Sequence, residues 1–261
     1  MEREVLQAEL GPWLRSGEWT LQVCGFGVAA AAACSSAILA RHRPRHVVLT
    51  GIAGVYRARS MVGRAVWFDR VLCDGIGVGT GDSFTSAAEL GWPHAHDSEG
   101  RAIGDVLPLQ LPAADWTKGR RAESESSRPA DTLTAEAAFS GHLVTVCAAS
   151  ADERAAEARF RRVTGGLATA AGGAIGGAAP DLPPPADLSG SEASSTTPTT
   201  PVIAEDMEGF GVALACRLHC IPLATVRGLS NVAGDRRHAG WEFERALRAA
   251  AAQIARLPPD L

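Results

Sequence analysis

Apolar positions along the chain follow two periods, and their alternation outlines the fold. Val5, Leu6, Leu10 and Leu14 recur near helical spacing and predict an amphipathic helix over residues 1–15. Trp19–Cys24 alternates well enough for a strand, which Gly25 to Gly27 turn into an Ala-rich helix reaching about Arg41. His46–Thr50 reads as a buried strand ending in a G-I-A-G turn over 51–54, and Ala65–Cys73 as a further strand. Leu143–Cys147 predicts a strand followed by a helix over Asp152–Arg162. After Glu208–Leu218 as a helix come a strand at Pro222–Val226 and a closing helix over Trp241–Leu257, stopped by Pro258 and Pro259. Strand, glycine turn and helix in repetition is the rhythm of an α/β sheet whose loops gather at strand C-termini.

Two stretches break the rhythm. Residues 75–140 are polar and irregular and carry no fine assignment. From Thr164 to about Pro201 the chain is Gly, Ala, Pro, Ser and Thr with hardly a large apolar residue. Such a composition cannot offset its own ordering entropy, so residues 164–201 are expected to form a disordered surface insertion. Both flanks are needed to complete the sheet, which makes residues 1–261 one domain rather than two.

Composition narrows the setting. With 261 residues, 46% hydrophobic and 21% charged, the chain can bury a proper core. Its net charge of −4 gives no basic footprint for nucleic acid. The cysteines at 24, 34, 73, 147, 216 and 220 form no C-x-x-C pair, which removes a zinc knuckle and a thioredoxin motif. Several lie in apolar runs, as reduced buried thiols do, and this suits a cytoplasmic setting. No basic leader opens the sequence, and the apolar run Val28–Ala33 is too short for a bilayer, so no membrane partner is expected. His94, His96 and His238 have no metal-ligand spacing.

Three motifs remain. G-F-G-V-A-A over 25–30 matches a dinucleotide fingerprint, but the next strand ends at Thr50 and Gly51 without the carboxylate that would hold a ribose. A glycine turn that lets a helix pack closely explains it, and no NAD is expected. A-E-D-M-E-G over 204–209 puts acids at a helix entrance, where capping alone accounts for them. R-G-L-S-N over 227–231 follows an apolar strand, where α/β folds place ligand contacts and where a plain turn with a surface arginine fits as well.

Taken in order, G-I-A-G ending at Gly54, E-D-M-E-G, R-G-L-S-N and Trp241 resemble the purine-nucleoside phosphorylase and nucleosidase superfamily. The longer strings A-E-D-M-E-G-F-G-V-A-L-A and R-G-L-S-N-V-A-G-D-R, with A-E-L-G-W ending at Trp92, are most similar to its futalosine hydrolases. The resemblance covers about residues 1–92 and 143–257. It implies a three-layer α/β/α fold with a central mixed, twisted sheet, no cofactor, a small nucleoside substrate, and a homodimer or larger assembly. It also implies cleavage of futalosine to hypoxanthine and its dehypoxanthinyl product on a route to menaquinone.

The resemblance also implies site residues. Glu208 would accept hydrogen bonds from the ribose hydroxyls, with Met207 against the flat sugar face. Ser230 and Asn231 would meet the base. Where adenosine-type nucleosidases carry aspartate, the Asn231 amide offers a donor and an acceptor together, which suits a 6-oxopurine. The opening M-E-R-E-V resembles the run whose last glutamate activates water, which assigns that role to Glu4 with Arg227 orienting the water. In those relatives a strand precedes the run, and here nothing does. Gly54 belongs to the substrate-binding set. Phe210, Trp92 and Trp241 are candidates for the non-base end. Rival readings are another 6-oxopurine nucleosidase or a phosphorylase, for which Arg57, Arg59 and Arg64 lie near the Gly51–Gly54 turn, cleavage of methylthioadenosine or adenosylhomocysteine, and an inactive nucleoside-binding protein.

Overall fold

A computed structural model describes residues 1–112, 140–172 and 201–257. Its regular elements are α1 (Glu2–Leu14), α2 (Val28–His42), β1 (Val47–Val55), β2 (Ala65–Asp74), β3 (Val106–Pro108), β4 (Ser140–Val146), α3 (Glu153–Gly172), β5 (Val202–Asp206), α4 (Gly209–Leu218), β6 (Leu223–Val232) and α5 (Phe243–Ile254). Shorter ladders lie between β2 and β3.

The strands form a mixed sheet in the order β6-β1-β5-β4-β2-β3, and β2 also pairs with β6. The sheet therefore closes on itself. β1 runs parallel to β6, and β2, β4 and β5 run parallel to one another. The two groups meet antiparallel, with Gly54 opposite Glu205 at one seam and Trp67 opposite Val226 at the other. Strands buried on both faces read as near-continuous apolar runs, and β1, V-V-L-T-G-I-A-G-V, is one.

Three apolar clusters cover the sheet. One face packs Leu49, Phe68, Leu143 and Leu229 with Ala31, Phe210 and Val212 of α2 and α4. On the other face Leu6 and Leu10 of α1 join Leu247, Ala251 and Ile254 of α5 over Val226. Beyond them α3 brings Ala156 and Val163 against Tyr56, Val144 and Ile203. The helices and mixed sheet agree with the expected α/β class; closure of the sheet was not legible beforehand.

Several boundaries differ from expectation. Trp19–Cys24 is no strand: it has no regular structure, and no ladder partner flanks it among the described residues. β1 pairs with β5 at Gly54 and Val55 alone, so its earlier residues keep one side facing that segment. β6 runs on through R-G-L-S-N to Val232 rather than ending at Val226. β5 was not anticipated at all. α3 continues to Gly172, into the tract expected to be irregular from Thr164. Residues 173–200 of that tract lie outside the described residues, as do 113–139. No described helix is long and apolar enough to cross a membrane.

Candidate active site

The polar centre is built around Arg227. Its register partner on β1 is Gly51, where a Cβ would collide with the guanidinium. Glycine there lets the arginine lie flat against the neighbouring strand. Nη1 donates to the Thr50 carbonyl at 3.1 Å, and Nη2 donates to Asp206 Oδ2 and lies 3.6 Å from Glu208 Oε2. Nε has no hydrogen-bond partner among the described residues. Asp206 ends β5 and also accepts from Thr145 Oγ1 at 2.7 Å and from the first amide of α4, Gly209, at 2.8 Å.

Glu208 stands between two helices. Its Oε1 accepts the Gly27 amide at the start of α2 at 3.1 Å, while its residue caps α4. Burial pushes its carboxyl above the ordinary glutamate value, against the pull of Arg227. A third carboxylate belongs to Glu2, whose Oε1 accepts the Ile52 amide on the open side of β1 at 3.1 Å. A cavity of about 810 Å³ is lined by Glu2, Glu208 and Arg227, with Cys24, Leu6 and Leu39 among its walls. Burial raises the Cys24 thiol, so it faces this cavity protonated.

Asn231 is placed differently. Ala53 pairs with Leu229 but Gly54 pairs with Asn231, so Ser230 is an extra residue on β6. This bulge turns Asn231 to the side of the sheet shared by Gly54 and Tyr56, away from the face of Arg227. Ser230 Oγ donates to Asn231 Oδ1 at 2.8 Å, and Asn231 Nδ2 donates to the Val232 carbonyl at 2.9 Å. At Gly54 an ideal Cβ would stand 3.5 Å from Nδ2 and 3.4 Å from the Ala233 Cα, in van der Waals contact with both.

Of the residues singled out in the sequence, Arg227 and Glu208 are thus brought together on the cavity, and Gly54, Ser230 and Asn231 form a second group that does not line it. Met207 packs against the Tyr56 cluster. Phe210 is 1% exposed within the core, edge-on to His94, and does not line the cavity. Trp92 is exposed, and Trp241 Nε1 donates to the Asp235 carbonyl. Glu4 lies outside the cluster: its side chain is 85% exposed and pairs with the terminal amine at 3.2 Å. On the first turn of α1 it is Glu2, not Glu4, that reaches β1 and the cavity. Two groups carried no site role in the sequence reading, Glu2 and the buried Glu205. The alternation in A-E-D-M-E, which sends residues 205 and 206 to opposite sides of a strand, was the signal available for Glu205.

A family model of the phosphorylase superfamily matches residues 13–258. The chain belongs to the phosphorylase superfamily. Within it, a futalosine hydrolase of Streptomyces coelicolor is 30% identical over 248 residues, covering 93% of this chain and 80% of that protein. Solved structures share the fold at lower identity. A futalosine hydrolase mutant of Helicobacter pylori superposes with a TM-score of 0.56 at 12% identity, covering 97% of this chain and 95% of that one. A 5′-methylthioadenosine/S-adenosylhomocysteine nucleosidase of Neisseria meningitidis, in complex with methylthio-immucillin-A, gives 0.55 at 14% identity, covering 92% and 80%.

Proposed function

We propose that this phosphorylase-superfamily chain is an N-ribosyl hydrolase that cleaves futalosine to hypoxanthine and the dehypoxanthinyl product. The nucleosidase class draws on the Streptomyces relative and on the fold neighbours. The choice of futalosine draws on that relative and on the amide at 231.

The observation that carries hydrolysis over phosphorolysis is the charge balance at the polar end of the cavity. Asp206, Glu208 and Glu2 surround one guanidinium, an excess of negative charge that repels phosphate and suits water as the nucleophile. Of the arginines considered for an anion site, Arg57 is engaged by Glu157, and Arg59 and Arg64 do not line the cavity.

In this reading the Glu208 carboxylate accepts hydrogen bonds from the sugar hydroxyls and feeds electron density to a ring that becomes oxocarbenium-like as the bond breaks. Arg227 holds that carboxylate in place. Water activation moves from Glu4 to Glu2, the carboxylate turned toward Arg227. Asn231 presents its NH₂ to O6 and its oxygen to the developing N7 hydrogen. The resemblance extends the proposal to the menaquinone route and to a homodimer or larger assembly.

Incubation with futalosine, inosine and methylthioadenosine, each with and without phosphate, tests the reading. Hypoxanthine release from futalosine without phosphate is expected. Strict phosphate dependence would overturn hydrolysis, and preference for methylthioadenosine would overturn the substrate.

A further inference from the structure

Behind Asn231 lies a buried polar network that the reaction above does not use. Glu205 is 6% exposed, and its carboxylate accepts the Tyr56 hydroxyl at 2.8 Å, the Ser150 amide at 3.1 Å, Ser150 Oγ at 2.7 Å and Arg159 Nη1 at 3.2 Å. Arg159, on α3, donates in addition to Ser150 Oγ at 2.6 Å, to the Ala148 carbonyl at 3.0 Å and to Asp74 at 2.7 Å. Arg162 completes the neutralisation of Asp74 at 2.9 Å. Two acids and two arginines balance, so the network is electrically closed and needs no ligand of its own.

Its bonds converge on one stretch of backbone, residues 147–152 between β4 and α3. Ser150 gives its amide and hydroxyl, and Ala148 its carbonyl. That loop abuts the end of β6. At Gly234, held at φ +85°, a Cβ would run into the backbone of Asp152. The next residue back, Ala233, donates its amide to Val55 at 2.9 Å, and its Cα stands 3.4 Å from where a Gly54 Cβ would be. Glu205, Gly54 and Asn231 are lateral neighbours on three adjacent strands and share one side of the sheet. The carboxylate network and the amide therefore flank the same glycine from its two sides.

We infer that Glu205, with Tyr56 and Ser150, is a positioning residue that pins the loop over 147–152 against the end of β6 and so fixes the wall of the site that faces the purine. This rests on the nucleoside reading proposed above. A wall displaced by a fraction of an ångström loses base affinity while leaving the sugar-gripping Glu208 and Arg227 untouched.

Three measurements on the full-length chain decide it. In Glu205→Gln and in Ser150→Ala, amide exchange across 147–152 should accelerate while β1 and β6 stay protected. Hypoxanthine, titrated calorimetrically, should bind about tenfold more weakly. Turnover of futalosine should lose kcat/KM through a raised KM with little change in kcat. Ser150→Ala keeps the Glu205–Arg159 pair and so guards against a folding defect in the other variant. Tyr56→Phe, which removes one donor, should fall between wild type and Glu205→Gln. Unchanged exchange in the loop, or accelerated exchange with unchanged hypoxanthine affinity, would overturn the inference. A wild-type chain that binds hypoxanthine and leaves futalosine intact would overturn the substrate reading alone.

Discussion

Replacing Arg227 by methionine probes the centre of the site most directly. The arginine side chain is 4% exposed and that of its partner Asp206 is 0% exposed, so each neutralises the other with little help from water. At an effective dielectric of about 20, charges 3.6 Å apart, as Arg227 and Glu208 are, attract by about 4–5 kcal/mol, and Asp206 sits closer still. Desolvation offsets much of that attraction while both partners are present. Removal of the cation leaves Asp206 with two neutral donors, Thr145 and Gly209, and a cost of about 3–5 kcal/mol is expected. That is a large part of the roughly 5–15 kcal/mol by which a domain is stable. Removing the acid as well, in Arg227→Met/Asp206→Asn, should return about 1–3 kcal/mol relative to the sum of the single changes. Urea unfolding at pH 7 with a constant m-value reads all four proteins. Arg227→Met should also regain stability on acidification. Without the cation Glu208, whose carboxyl burial already raises, holds its proton more readily in the folded state than in the unfolded chain. The favourable contribution is therefore present at low pH and lost as the pH rises. Additivity within about 0.5 kcal/mol would refute the pairing, and no gain on acidification would refute the sign.

Other expectations follow from the same geometry. Glu208→Gln should lower kcat about a hundredfold yet leave the protein at least as stable at neutral pH. Burial raises the Glu208 carboxyl, so its contribution to stability is full below 4.5 and is lost as the pH rises through the folded value. For the same reason the acid limb of kcat/KM in the wild type should lie above 4.5; a limb below it contradicts the raised carboxyl. Glu2→Gln should cost about 10²–10⁴ in kcat, with Glu4→Gln within twofold of wild type, and the reverse pattern in a steady-state assay would return the water-activating role to Glu4. Asn231→Ala should remove most turnover without shifting the melting temperature, and Asn231→Asp should move preference toward 6-aminopurine nucleosides. An unchanged kcat in the first, or an unchanged preference in the second, counts against base recognition by the amide.

The sequence revealed elements where burial and period coincide. β1 and β2 are apolar runs bounded by glycine or polar residues, α2 is a small-residue helix after a glycine turn, and α4 is an apolar helix capped by Glu208. It misled where tertiary context decides. Trp19–Cys24 has the alternation of a strand, but alternation does not supply a neighbour to bond with, and β1 lies across a cavity from it. R-G-L-S-N looked like a turn because it is polar, and the sheet's closure makes it a strand. β6 is flanked there by β1 on one side and for part of its length by β2 on the other, which buries arginine, serine and asparagine alike. V-I-A-E-D was passed over because acids are depleted in strands. Glu205 and Asp206 are tolerated because Arg159 and Arg227 neutralise them from elements distant in the chain. Of the site, Arg227 and Glu208 were legible as motif residues. Glu2 was not, since which glutamate of a first helical turn faces inward depends on how the helix docks.

The extra residue at Ser230 makes the orientation of the amide at 231 a matter of counting rather than of chemistry. Deleting Ser230 would absorb the bulge and leave Leu229 opposite Ala53 and Asn231 opposite Gly54, whereas deleting Gly228 would hold Asn231 in place only by carrying Leu229 to the other side of the sheet. A scan by substitution would report tolerance around that position and miss the constraint. Deletions taken one residue at a time would expose it, with Ser230 the residue of the strand whose loss leaves every remaining pairing with β1 as it was.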